Sequence, residues 1–256
     1  MKLIATLGFA AALAGASLTA VHVARADEFT SAQKQEMGAF IRDYLVNNPE
    51  VLREAIEALD KHDKAVAEAQ RQKTVESQSG ELFSSQYQAT IGNPKASATL
   101  VEFFDYNCHY CKGALPDITR LMKDDSNLKL VLKDFPVLGP GSVEAAKVAS
   151  AARNQLPGDK FWAFHSKLLA THGPVGKAEA LAVAKELGLD MDKLAKDMES
   201  PDVKTGLNET MQLADALQIN GTPTFVLGQD VVVGAVGYDR LKSEIDSVHK
   251  CGRVSC

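Results

Sequence analysis

Hydrophobic residues change their spacing along this chain, and each change marks a different kind of segment. Residues 3 to 23 form one long apolar stretch behind Lys2. From Glu28 to Gln78 the spacing is helical on a charged background. Leu45, Leu52, Leu59 and Val66 recur every seven residues, with Ile41, Ala55 and Ile56 beside them, so a narrow apolar stripe runs along an otherwise polar surface. Asn47-Asn48-Pro49 interrupts it. Asn48 can cap a helix and proline suits a first helical position, which predicts a short helix before this point and a longer one after. The stripe needs a partner, either the rest of the chain or another copy of it. Thr74 to Gly80 is polar and predicts a hinge or linker.

Beyond Gly80 the pattern alternates between strand and helix. Ala98 to Phe104 reads as a buried strand, Cys108 to Met122 as a helix, and Leu128 to Phe135 as a second strand. Gly139-Pro140-Gly141 breaks the chain, and from Val143 to Leu217 every periodic segment is helical: 143–154, 161–171, 177–187, a short piece near Met191, and 202–217. Strands return at Thr224 to Leu227 and Val231 to Val236, joined by Gly228-Gln229-Asp230 at the spacing of a tight hairpin. A helix from Tyr238 to about His249 follows. The expected fold class is α/β with an inserted helical block and a helical extension in front. The expected organisation is 1–26, 27–79 and 80–256, with the insertion at about 143–217.

Composition sets the compartment. The apolar stretch ends at Ala24-Arg25-Ala26, the small-x-small form of a signal-peptidase site, so a cleavable leader over 1–26 and a mature chain from Asp27 are expected. An uncleaved membrane anchor is the alternative. Export places the protein where disulfides persist, and four cysteines fit that setting. The net charge of -5 grows more negative once Lys2 and Arg25 leave, which argues against nucleic acid as a partner.

The chemistry concentrates in Cys108-His109-Tyr110-Cys111. A strand that ends at this pair, with a helix beginning there, puts the Cys108 sulfur at a helix N-terminus, where unpaired amides and the macrodipole favour negative charge. The thiolate is the nucleophile in disulfide exchange, so Cys108 is the expected nucleophile and Cys111, one turn inward, the resolving thiol. His109 and Tyr110 are expected to tune the pair, His109 by a charge or hydrogen bond to the Cys108 thiolate; the alternative is that His109 lies in solvent and touches substrate. Cys251 and Cys256 are expected to bridge each other, a short loop worth only about 2 kcal/mol, although redox activity there stays open. Together the two pairs could instead hold zinc as four thiolates, and thiolates also bind copper(I). No metal or cofactor is expected. Phe161, Trp162, Phe164 and His165 read as core.

The order strand, cysteine helix, strand, helical insert, hairpin, helix resembles the thioredoxin fold with the helical insertion of the DsbA family. The resemblance covers about Ala89 to Lys250 and is carried by Val-Glu-Phe-Phe-Asp-Tyr-Asn-Cys-His-Tyr-Cys, Lys-Asp-Phe-Pro-Val-Leu-Gly-Pro-Gly-Ser and Gly-Thr-Pro-Thr-Phe. Ile41-Arg42-Asp43-Tyr44-Leu45 and Asn48-Pro49-Glu50-Val51-Leu52 look like the oligomerising extension of ScsC-like proteins. The chain has His-Tyr between its cysteines where the best-known DsbA type has Pro-His, so redox strength does not carry over. The resemblance implies that Glu102, an acid within an apolar strand, is the buried carboxylate that exchanges protons with Cys111, with a water-facing edge position as the alternative and Lys133 on the neighbouring strand as a candidate partner. It also implies that Thr222-Pro223 is a cis-proline loop facing the cysteines, where the Thr222 backbone takes an extended substrate by strand addition. Function follows as a periplasmic thiol-disulfide oxidoreductase acting on cysteine-containing exported proteins and recycled by a membrane redox partner. A homodimer or homotrimer through the N-terminal helices would favour isomerisation.

Overall fold

A computed structural model describes residues 29–256, and the expected leader lies outside the described residues. The chain divides into two compact units, one ending at Leu59 and the other beginning at Asp60.

In the first unit, Thr30 and Gln33 form a reciprocal cap on α1 (Ser31–Asn47): the Gln33 amide donates to Thr30 Oγ1 at 3.3 Å and the Thr30 amide to Gln33 Oε1 at 2.9 Å. Asn48 ends that helix and Pro49 opens α2 (Pro49–Ser77), as the sequence predicts. No residue of α1 is buried, and Ile41, Leu52, Ile56 and Leu59 are all exposed. Among the described residues the heptad stripe is therefore largely uncovered, Leu45 alone being half-buried.

The second unit is a five-stranded sheet in the order β1-β3-β2-β4-β5. Its strands are β1 (Ala89–Gly92), β2 (Ala98–Phe104), β3 (Leu128–Asp134), β4 (Thr224–Leu227) and β5 (Asp230–Val233). β2 and β3 run parallel and the other neighbours antiparallel. Helix α4 (His109–Asp124) makes the crossover from β2 to β3. Five helices stand between β3 and β4: α5 (Pro140–Ala152), α6 (Asp159–Leu169), α7 (Lys177–Glu186), α8 (Met191–Met198) and α9 (Pro201–Ala216); α10 (Tyr238–Cys251) ends the fold. This is the thioredoxin arrangement with a helical insert. The four-residue β1 was not expected, because Ala-Thr-Ile-Gly is too short to show a period. β5 is shorter than predicted.

Strand alternation divides the core in two. Leu100, Phe104, Leu130 and Leu132 pack towards α4 and the insert, while Val101, Phe103, Val131 and Phe135 pack against Val75, Leu82, Leu213 and Leu217 on the opposite face. This second layer corrects the expected hinge at 74–80. Residues 74–77 continue α2, and a short α3 (Ser79–Phe83) follows at once. Val75 and Leu82 are buried at 1% and 0% exposure, which outweighs the polar residues between them. Helix α9 approaches the chain so closely at Gly206 that a Cβ there would lie 2.8 Å from Tyr87 Cβ.

Candidate active site

β2 delivers the cysteines. After Phe104 the chain turns on Asp105, whose Oδ1 accepts the Asn107 amide at 2.8 Å and whose carbonyl accepts the Cys108 amide at 3.0 Å. Cys108 is then the extended N-cap of α4, with φ -74° and ψ 119°, and its side chain caps no amide of the helix. One turn on, Cys111 faces inward over the sheet. Cys108 retains 6% exposure and Cys111 none, so the outer and inner order of the two thiols is as expected.

The opposite wall comes from β4. It pairs antiparallel with β2, Phe103 opposite Thr224, so the residues just before Thr224 lie beyond the end of β2, where Cys108 sits. The Thr222-Pro223 peptide is cis. Cys108 donates from Sγ to the Thr222 carbonyl at 3.1 Å, and Thr224 Oγ1 donates to the Gly221 carbonyl at 2.8 Å.

Beneath the cysteines, Glu102 is fully buried and neither carboxyl oxygen has a hydrogen-bond partner among the described residues. Burial pushes its pKa up to about 8. It lies on the face that carries Cys111, whose own thiol is pushed well up, first by burial and then by the nearby Glu102 charge. An acid that holds its proton at pH 7 thus sits near a thiol that also resists ionisation. Neither Glu102 oxygen is within hydrogen-bond distance of that thiol, so a proton passing between the two groups needs a bridging water.

The expected Glu102–Lys133 pairing does not form. In the parallel register Glu102 lies opposite Leu132, and Lys133 lies opposite Phe103, so the two side chains leave opposite faces of the sheet. Lys133 instead donates to the Glu81 carbonyl at 2.5 Å and pairs with Glu209 at 3.3 Å. His109 is exposed and, among the described residues, makes no hydrogen bond to Cys108; its ring meets the Tyr110 ring edge-on at 5.9 Å. Tyr110 is 67% exposed beside the cysteines. Phe161, Phe164 and His165 are buried, and burial lowers the His165 pKa to about 3, so that ring is neutral. Cys251 and Cys256 form a disulfide at the end of α10, which withdraws both from the four-thiolate zinc arrangement. Among the described residues, no group of three or more His, Cys, Asp or Glu side chains is placed to hold a metal ion.

Two residues that hold the site were not singled out from the sequence. Asp105 is 1% exposed and its carboxylate accepts four hydrogen bonds: the Asn107 amide, the Val137 and Leu138 amides at 2.9 and 3.0 Å, and Ser142 Oγ at 2.7 Å. Asn107 donates to Ser142 Oγ and to the Val175 carbonyl, and accepts the Val175 amide at 2.7 Å. The active-site turn is thereby tied to the insert at several points. The only local signal was Asp-x-Asn just before a helix start.

Comparison with known proteins agrees with this geometry. Residues 99–246 match the model of the DSBA-like thioredoxin domain, and residues 33–65 match the copper resistance protein ScsC N-terminal domain. A thioredoxin-like oxidoreductase from Silicibacter pomeroyi is 40% identical, with a TM-score of 0.64, over 67% of this chain and 98% of that one. Proteus mirabilis ScsC, as a linker-deletion mutant, is 27% identical with a TM-score of 0.65, over 88% of this chain and 99% of that one. The probable disulfide bond formation protein D of Bacillus cereus is 25% identical over 177 residues, 65% of this chain and 81% of that protein. A Na(+)/H(+) antiporter NhaA 1 of Salinispora arenicola is 30% identical over 158 residues, but this chain spans only 24% of its length, so ion transport does not carry over.

Proposed function

The chain belongs to the family of DSBA-like thioredoxin domains, and from that premise we propose that it is a periplasmic thiol-disulfide oxidoreductase of cysteine-containing exported proteins, with Cys108 as nucleophile and Cys111 as resolving thiol. The observation that carries this reading is the position of Cys108: N-cap of α4, less buried than Cys111, and 3.1 Å from the Thr222 carbonyl. In the oxidising direction a client thiolate attacks Cys108 Sγ in the Cys108–Cys111 disulfide, forms a mixed disulfide and expels Cys111 as a thiolate. Glu102, protonated at pH 7, returns a proton to that sulfur through one bridging water. A second client thiolate then attacks the client sulfur and releases Cys108, so the client loses two electrons and the enzyme gains them. Reduction runs the same steps backwards, with Glu102 accepting the Cys111 proton as that thiol attacks. Thr222 and Pro223 present the backbone on which an extended client segment adds as a strand. A membrane redox partner resets the pair.

Export rests on the leader read at 1–26. The uncovered stripe through Leu52 and Leu59 supports self-association as a dimer or trimer through the first unit, an arrangement suited to isomerisation. Light scattering on the mature protein should show an oligomer, and a chain beginning at Asp60 should be monomeric; a monomeric mature protein overturns this part. For the chemistry, Cys108→Ser should abolish insulin reduction and the refolding of scrambled proteins, whereas retained activity removes Cys108 as nucleophile. The match of residues 33–65 to a domain named for copper resistance favours a second reading, a copper(I) site on the same two thiolates. Stoichiometric, tightly held copper in the reduced protein would establish it.

A further inference from the structure

Beside the nucleophile lies a cleft of about 560 Å³ that the exchange chemistry does not use. Asn107 and His109, the chain neighbours of Cys108, form one wall, and the loop Thr171–Gly173 after α6 forms the other. Thr222 meets Cys108 from the β4 side, whereas the cleft is lined by the residues on either side of Cys108 in the chain.

The ionisable residues lining the cleft are Lys112, His109 and His172, with no carboxylate among them. In a chain with a net charge of -5, that is a local reversal of sign. Lys112 is half-buried and held in place, donating from Nζ to the Thr171 carbonyl at 2.7 Å and the Gly173 carbonyl at 3.3 Å. Carbonyls fix an ammonium without neutralising it. Among the described residues neither Lys112 nor either histidine takes part in an ion pair, while the buried Lys133 has Glu209. The two imidazoles are exposed and add N–H donors at the rim. A fixed cation with ring donors around it and no counter-charge attracts a carboxylate.

We propose that this cleft is a subsite for a client carboxylate, so that the protein reacts preferentially with cysteines that have an acidic residue close by in the client chain. The proposal rests on the thiol-disulfide exchange reading above and names which clients that site prefers. Lys112 supplies the charge, and His109 and His172 supply ring N–H donors. The same carboxylate chemistry is offered by glutathione, so the test separates the two sources.

The full mature protein, oxidised, is mixed with single-cysteine peptides that differ only in having Asp, Asn or Lys beside the cysteine. Each second-order rate is divided by that peptide's rate with a small aromatic disulfide, which removes the peptide's own reactivity. The Asp peptide should lead the Asn peptide by about 3- to 10-fold at low salt, with the Lys peptide slowest, and the lead should shrink as salt is raised. Lys112→Met should bring the Asp to Asn ratio to about one, Lys112→Arg should retain it, and His172→Ala, on an exposed loop, should lower it in part. Should Lys112→Met fail to fold, the salt dependence of the native protein and His172→Ala read the same preference. Equal rates for all three peptides overturn the subsite while leaving exchange intact. Absence of reaction with every peptide overturns the exchange reading itself. A lead seen for glutathione over its diethyl ester but not for Asp over Asn peptides overturns the assignment to client chains.

Discussion

Glu102 and Lys133 lie on adjacent strands at 0% and 2% exposure, and one register step puts them on opposite faces of the same sheet. Lys133 faces the layer made by α3 and α9, where the Glu81 carbonyl and Glu209 satisfy it. Glu102 faces Cys111 and the insert, where neither of its oxygens has a partner among the described residues. A buried charge with partners is a fastening, and its removal leaves those partners stranded. A buried acid without them costs stability, and its position beneath Cys111 fits the proton-transfer role proposed above.

Three substitutions, read in four measurements, can break or sharpen this contrast. The largest effect belongs to Glu102→Gln and shows in stability against pH. The folded pKa of about 8 stands above the ordinary 4.5, so between those values the native state binds more protons than the unfolded one and stability falls as pH rises. Urea titrations at pH 5 and pH 9 should find the variant gaining up to about 5 kcal/mol relative to the native protein at the higher pH. Asp134, raised to about 7 mainly by burial, keeps a slope of the same sign in the variant. If Glu102→Gln gains nothing at pH 9, the carboxyl is not buried as described.

Next, Lys133→Met should lose about 3 kcal/mol in denaturant while the folded fraction exchanges disulfides at the native rate. Slowed chemistry in folded Lys133→Met would erase the distinction between the two residues. Third, Glu102→Gln should slow the step that resolves the mixed disulfide about 100-fold at pH 7, read by rapid quenching and gel mobility, and flatten its pH profile. An unchanged profile would reduce Glu102 to a tolerated defect. The smallest effect is expected for Ser142→Ala, which removes one of four donors to Asp105 and should cost about 1 kcal/mol with little change in rate.

The same contrast marks what could be read from the residues alone. β2, β3 and α4 were legible because long apolar runs and helical spacing leave few alternatives, and the placement of Cys108 and Cys111 at the start of α4 was legible because their spacing sets two thiols one turn apart. Glu102 was recognisable as an acid in an apolar strand, but its separation from Lys133 was not, since each is flanked by apolar residues and only the register assigns them to different faces. Residues 74–80 misled because they are mostly polar; Val75 within them and Leu82 just beyond are enough to dock them on the sheet. Asp105 and Asn107 act through turns and distant backbone groups, Ser142 and Val175 among them, which no local pattern displays.

The asymmetry of the two thiols can be measured directly by exposing the fully reduced protein to a brief pulse of iodoacetamide at pH 7 and locating the label by peptide mass spectrometry. Labelling of Cys108 with Cys111 spared is the predicted result. Equal labelling of both, or faster labelling of Cys111, would contradict the account.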